Sequence, residues 1–327
     1  MRVAVIGAGA WGTALAIALS QRHETVLWTR DPAHAAAMQE SRSNSRYLPG
    51  IEMPARIAVT PDLHSALLNT ELILIAAPTS ALRELLRQIA PISRESPLVW
   101  ACKGFERGSA LLPHEIVAGE MPGRTCGVLS GPSFAQEVAR ARPTALILAS
   151  RDIAFARGTA SALHQTMLRI YSSEDVVGVE IAAAVKNVMA IATGICDGME
   201  LGMNARAALI TRGLAEIARL GLAMGGKAES FIGLAGAGDL ILTCTGDMSR
   251  NRRVGLELAA GDTLEAILAR LGHVAEGVYS AREVRRISAE KGVDMPITSA
   301  VCEVLFEGKT AAAALHELLA RDPRPEG

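Results

Sequence analysis

The sequence predicts an α/β chain in two parts, a doubly wound parallel sheet over residues 1–176 and an all-helical domain over 177–327. Three observations carry this. Short apolar runs alternate with helical stretches through the first half, a glycine-spaced turn separates the first run from the first helix, and strand signals nearly vanish after about residue 175.

Residues 2–6 (RVAVI) read as a strand and Thr13–Arg22 as a helix; Thr25–Thr29 is the second strand, and Pro32–Glu40 a helix with proline in its first turn. Leu72–Ala76, Leu98–Ala101, Cys126–Leu129 and Ala145–Ala149 are apolar throughout rather than alternating, as strands buried on both faces are. Ser80–Ile89 reads as an intervening helix. In the second half, Val179–Cys196, Ala205–Met224, Thr263–Arg270, Tyr279–Glu290, Ala300–Phe306 and Ala313–Ala320 carry helical spacing, and the boundary falls near 172–180. The polar tail RDPRPEG is expected to fray.

Half of the 327 residues are hydrophobic and 20% are charged, which allows a large buried core. A net charge of −1 without blocks of like charge gives no reason to expect nucleic acid or an anionic membrane as partner. The five cysteines are widely spaced with no C-x-x-C, which fits reduced, buried thiols and no metal site. Met1-Arg2 runs straight into the first strand, and Lys186 interrupts the most apolar stretch short of a bilayer-spanning length. The expectation is a cytoplasmic chain without membrane insertion.

Gly7, Gly9 and Gly12 stand as G-x-G-x-x-G between a strand and a helix, inside a unit of roughly 30 residues. In a Rossmann-type fold the first glycine makes the tight turn, the second lets backbone approach a pyrophosphate, and the third lets the helix pack closely. The helix N-terminus then offers unpaired N–H groups to the phosphates. A tight turn without a ligand is the plainer alternative. After the second strand, Thr29-Arg30-Asp31 offers both an acid suited to the ribose 2′-OH of NAD and an arginine suited to the 2′-phosphate of NADP. Arg30, directly after the strand, leans the expectation toward NADP, unless it is a solvated loop charge.

Lys186 is the only charged residue in the sixteen of Ile181–Cys196 (IAAAVKNVMAIATGIC). A buried ammonium is costly unless paired or neutralised. Thr193 and Asp197 fall on its side of the helix, so a polar stripe runs along an apolar element. Such a lysine either snorkels along a helix groove or donates a proton to a carbonyl under reduction. GLAGAGDLILTCTG (233–246) packs glycines around Asp239 before an apolar, strand-like run, and SRNRR (249–253) sets Ser249, Arg250 and Asn251 side by side. That triplet suits a phosphate, and it also suits an exposed basic turn.

Together these segments resemble the bacterial-type NAD(P)-dependent glycerol-3-phosphate dehydrogenases over essentially the full length. The resemblance rests on GAGAWGTALA, YLPGI, ACKGF, SGPSFA, AAVKNVMAIATGI, GLAGAGDLILTCTG, SRNRR and VAEGVYSA. It implies that Lys186 is the proton donor, with Asp239 its acidic partner and Lys103 a second lysine near cofactor and substrate. It implies substrate contacts from Lys103, Gly131, Ser133, Lys186, Asp239, Ser249, Arg250 and Asn251. Cofactor contacts are implied at Gly7, Gly9, Trp11, Gly12, Arg30, Tyr47, Lys103, Ala135, Arg250, Val274 and Glu276. Ala10 stands where the family often carries serine, which removes one hydroxyl. The implied reaction is reduction of dihydroxyacetone phosphate to sn-glycerol 3-phosphate by NADPH or NADH, supplying phospholipid synthesis, in a homodimer without a metal. Two competing readings are a β-hydroxyacid or 6-phosphogluconate-type dehydrogenase and a nicotinamide-binding sensor without turnover.

Overall fold

The computed structural model describes residues 1–271 and 275–320. The chain divides into two units, one of Met1–Lys103 and Leu111–Glu180, the other of Gly104–Ala110 and the chain from Ile181 onward. The sequence expectation of one boundary contains no counterpart to the Gly104–Ala110 excursion.

In the first unit the order is β1 (Arg2–Ile6), α1 (Ala10–Leu19), β2 (Glu24–Trp28), α2 (Pro32–Ser41), β3 (Ser43–Asn44), β4 (Leu48–Glu52), β5 (Ala58–Thr60), α3 (Leu63–Leu67), β6 (Leu72–Ile75), α4 (Thr79–Ile89) and β7 (Leu98–Trp100). It continues with α5 (Pro113–Glu120), β8 (Cys126–Ser130), α6 (Ala135–Ala139), β9 (Thr144–Ala149), α7 (Ile153–Leu163) and β10 (Leu168–Ser173). Eight strands form one sheet in the order β10-β9-β8-β7-β6-β1-β2-β5, while β3 and β4 pair separately. The sheet is parallel except where β9 meets β8: Leu129 lies opposite Leu148 in an antiparallel pair, and β10 then runs parallel to β9. Continuous apolar runs locate these strands but carry no information on their direction, so this reversal is a finding of the structure.

The strands are buried because helices cover the sheet. Val3, Val5, Leu74, Val99 and Leu129 pack with Leu15 and Leu19 of α1 and Ala156 and Ala160 of α7. Leu82, Leu85, Leu86 and Ile89 give α4 one buried stripe at helical spacing. Helix α1 begins at Ala10 and ends at Leu19, not Thr13–Arg22, so Trp11 and Gly12 already lie in its first turn.

In the second unit the elements are α8 (Val176–Gly198, beginning in the first unit), α9 (Gly202–Ala223), α10 (Ala228–Ile232), a π-helical turn (Leu234–Gly238), α11 (Asp239–Thr245), α12 (Arg250–Ala259), α13 (Leu264–Leu271), α14 (Glu276–Glu290), α15 (Pro296–Phe306) and α16 (Ala311–Leu319). The strand-like reading of the apolar run after Asp239 is corrected: Asp239–Thr245 is helical. Its LILTC run is buried only in part, with Leu240, Thr243 and Cys244 inside and Ile241 exposed, which is a helical and not a strand pattern.

Helix α8 is the core element. Every residue from Ile181 to Thr193 is buried. By length and composition this helix suffices to cross a bilayer, which corrects the expectation that Lys186 cuts the run short; 89% of its most apolar window is buried inside the protein. Helix α12 crosses it at backbone contact. A Cβ on Gly194 would lie 2.0 Å from the Arg252 carbonyl oxygen, and one on Gly255 would lie 2.1 Å from that of Ile191. That crossing brings the start of α12 to the level of Lys186 and Asn187.

A second buried device holds α15. Glu216 of α9 accepts bonds from the backbone N–H groups of Ile297 (2.6 Å) and Thr298 (3.2 Å) and from the Thr298 hydroxyl (3.1 Å). It caps a helix whose own N-cap residue, Met295, supplies no side-chain bond.

Candidate active site

In the first unit the three glycines occupy three different environments. Gly7 has φ +116°, and a Cβ there would lie 2.7 Å from the Ala76 carbonyl oxygen. A Cβ on Gly12 would lie 1.8 Å from the Gly7 carbonyl oxygen, whereas nothing stands within 4 Å of one on Gly9. Gly7 and Gly12 therefore serve the chain's own turn, and Gly9 faces open space. Gly9 is also the N-cap of α1 and provides no side-chain cap, so the first N–H groups of α1 remain for a ligand. This cradle fits the pyrophosphate of a dinucleotide.

Gly12→Ala is expected to break the loop, because its Cβ meets backbone that cannot rotate away. Cofactor affinity should fall at least about ten-fold, given an overlap that forces the loop to move. Fluorescence titration with NAD(P)H on folded protein, checked by circular dichroism, tests this; unaltered affinity would remove Gly12 from the cradle.

Around the cradle, Asn44 donates to the Ala8 carbonyl (2.9 Å) and to the Thr13 hydroxyl (2.7 Å). Its own oxygen accepts from the Tyr47 backbone N–H (3.2 Å) and lies 3.1 Å from His34 Nε2. Asn44 thus ties the glycine loop to the segment that carries Tyr47. At the end of β2, Asp31 accepts from the N–H groups of Ala33 and His34 as the N-cap of α2, while Arg30 is exposed. Trp11 packs half-buried against the sheet core. Gly131 follows β8 with φ +128° and accepts from the Ser133 hydroxyl (3.0 Å), and Ala135 opens α6. Lys103, half-buried, lies just past β7.

In the second unit Lys186 is 5% exposed and Asp239 is 1% exposed. The Lys186 ammonium donates to Asp239 Oδ1 (2.6 Å) and to Thr243 Oγ1 (2.8 Å). Thr243 in turn donates to the Asp239 carbonyl (2.6 Å). Neither Thr243 nor Asn44 stood out in the sequence. An extended chain through the run after Asp239 would put Asp239 and Thr243 about 13 Å apart, whereas one helical turn makes them neighbours.

Asn187 and Asn251 link three helices. Asn251 donates to Asn187 Oδ1 (2.9 Å) and accepts from the Gly277 N–H (3.0 Å), next to Glu276 at the start of α14. Asn251 is thus committed in part to packing α8, α12 and α14. Ser249 caps α12 by accepting from the Arg252 N–H. Among the arginines of SRNRR, Arg252 is held by Asp197 and Asp247 and Arg253 by Glu257. Arg250 is exposed and makes no ion pair with a described residue. Val274 lies outside the described residues, as does the polar tail.

Of the other reactive groups, Cys244 is pushed up to about 12 and Cys302 to about 11 by burial, so neither is a thiolate at neutral pH. Among the described residues no group of three His, Cys, Asp or Glu side chains is placed to hold a metal.

A glycine cradle at the mouth of a mostly parallel sheet, and a buried ammonium–carboxylate pair on a helical unit, define a dinucleotide-dependent oxidoreductase. Comparison with known proteins narrows the class. The N-terminal and C-terminal profiles of NAD-dependent glycerol-3-phosphate dehydrogenase match residues 2–156 and 175–316. The chain is 55% identical over 328 residues to glycerol-3-phosphate dehydrogenase [NAD(P)+] of Dechloromonas aromatica, covering 100% of this chain and 99% of that protein. The crystal structure of glycerol-3-phosphate dehydrogenase from Coxiella burnetii superposes with a TM-score of 0.94 at 42% identity, covering 98% of this chain and 99% of that one. The enzyme from Saccharomyces cerevisiae superposes at 0.82 with 26% identity, covering 97% and 98%. The chain belongs to the NAD-dependent glycerol-3-phosphate dehydrogenase family.

Proposed function

We propose that the chain reduces dihydroxyacetone phosphate to sn-glycerol 3-phosphate, with residues 1–176 holding the dinucleotide and 177–327 holding most of the substrate. The observation that carries this reading is the buried Lys186–Asp239 pair, braced by Thr243. Bound NAD(P)H supplies the hydride that reduces the carbonyl carbon. As the carbonyl π electrons move to oxygen, Lys186 stabilises the growing negative charge and gives that oxygen a proton, leaving a neutral amine that regains its proton from solvent. Asp239 favours the charged ammonium before the step and holds it in place. General acid catalysis of this kind contributes about 10²–10⁴-fold, and positioning adds several kcal/mol. In the oxidative direction the neutral Lys186 is the base.

Ser249, Arg250 and Asn251 meet the substrate phosphate and hydroxyls, with Arg250 as the guanidinium not committed elsewhere. Ser249 accepts from the Arg252 N–H and keeps its own hydrogen to give. Lys103, Gly131 and Ser133 complete the substrate contacts. Gly7, Gly9, Gly12, Trp11, Arg30, Tyr47, Lys103, Ala135, Arg250, Val274 and Glu276 hold the cofactor. The product feeds glycerophospholipid synthesis in the cytoplasm, and the working form is a homodimer. Arg250→Ala should mainly raise KM for the phosphorylated substrate, by roughly ten-fold or more for a lost charge-assisted contact; steady-state kinetics with an unmoved KM would take Arg250 out of the phosphate site.

The direct test follows loss of NADH and NADPH absorbance, in parallel, on adding dihydroxyacetone phosphate. Oxidation of either establishes the reaction. If both bind and neither is oxidised, the hydroxyacid substrates come first and the sensor second.

A further inference from the structure

Resting on that reading, Arg46, on the segment between β3 and β4, adds to Arg30 a specificity element that neither the glycine motif nor the family resemblance assigns. An acid at the end of β2 normally takes the ribose 2′-OH. The acid here, Asp31, directs Oδ1 to the N–H groups of Ala33 and His34, and its Oδ2 lies 3.8 Å from Arg46 Nη1. Arg46 also lies 5.0 Å over the ring of Tyr47, against which His34 packs edge-on at 5.4 Å. Arg46 therefore stands beside a carboxylate already engaged by a helix N-terminus, and exposed Arg30 directly precedes that carboxylate in the chain. Asn44 fixes this cluster to the glycine loop through its bond to Ala8. The backbone that carries Arg46 is thereby tied to the glycine loop.

The contacts that hold Arg46 are weak enough to yield. Its side chain is 60% exposed and that of Asp31 is 46% exposed. At 3.8 Å in such exposure an ion pair adds little to stability. A phosphate dianion offers a guanidinium charge-assisted and bidentate bonds instead. Arg42, on the same segment, has no such freedom, since it donates to the carbonyls of Pro54 and Ile57.

We infer that Arg46 is a specificity-determining residue: with Arg30 it clamps the ribose 2′-phosphate, so the protein discriminates in favour of the phosphorylated dinucleotide. Tyr47 supports the Arg46 guanidinium from below, and Asp31 holds the start of α2 rather than the ribose.

The test is the ratio of kcat/KM for NADPH over NADH, measured for the wild type, Arg46→Ala, Arg46→Gln and Arg30→Ala. The wild-type ratio should exceed one. Each Arg46 substitution should lower it at least ten-fold through the KM for NADPH, and a variant that only loosens the fold would move both cofactors together. A wild-type preference for NADH, or equal losses with both cofactors, overturns the inference. Fluorescence titration of NADPH and NADH without substrate separates the two levels. Selective binding of NADPH that Arg46→Ala abolishes upholds the clamp even if dihydroxyacetone phosphate is not reduced, which would overturn only the proposed reaction.

Discussion

Lys186→Ala should lower kcat by at least about 10², the scale of a lost proton donor, with cofactor affinity nearly intact. Stability needs separate measurement, because the substitution leaves the buried Asp239 carboxylate without this ammonium. Breaking a buried pair from one side costs about 3–5 kcal/mol, enough to unfold many proteins. The double variant Lys186→Met with Asp239→Asn removes both charges and keeps similar volume. It should regain most of the stability and none of the activity. If kcat recovers along with stability, the lysine is structural. A loss of cofactor affinity as large as the loss of kcat would lead to the same conclusion.

A second large effect concerns Glu216. Burial pushes its carboxyl up from 4.5 to about 7, against the hydrogen bonds from Ile297 and Thr298 that hold it down. The folded chain therefore binds this proton more tightly than the unfolded chain. Between pH 4.5 and 7 the folded state carries more of it, so the unfolding free energy falls as pH rises through that window. The difference between the two values corresponds to about 3 kcal/mol, present in full below 4.5 and lost above 7. Glu216→Gln has no proton to lose and should gain on the wild type by about that amount between pH 4.5 and 8. Thermal unfolding of both proteins across this range measures it, and parallel pH profiles would refute it. Glu216→Ala strips the acceptor from two helix N–H groups and should destabilise at every pH, by about 2–4 kcal/mol.

Much of this was legible in the sequence where one residue type has one physical use. The RVAVI run followed by Gly7, Gly9 and Gly12 defines a strand, a turn and a helix start, because no other residue fits the space at Gly7 or Gly12. Lys186 stood out because a lone charge in an apolar helix must find a partner, and it does. Illegible features depend on what lies across from a residue. The reversal at β9 leaves no trace in an apolar run. Asn251 looks like a ligand contact in SRNRR, yet half its bonding capacity goes to Asn187 and Gly277, residues distant in sequence. Arg46 is one arginine among many until Asp31 and Tyr47 are seen beside it.

The route of the chain through its two units has a consequence for how such a protein can be cut and recombined. The backbone passes from one unit to the other between residues 103 and 104, returns between 110 and 111, and leaves again between 180 and 181. A fragment ending at Glu180 would carry Gly104–Ala110 with nothing to receive it, since the Gly108 N–H is accepted by Glu283. The complementary fragment would lack the same seven residues from its own body. A chimera joined at a single breakpoint near 180 would therefore import one parent's 104–110 loop into the other parent's helical half, so compatibility at Glu283 sets which parents can be joined. Grafting the loop together with the C-terminal half, through three junctions, is the division that this fold permits.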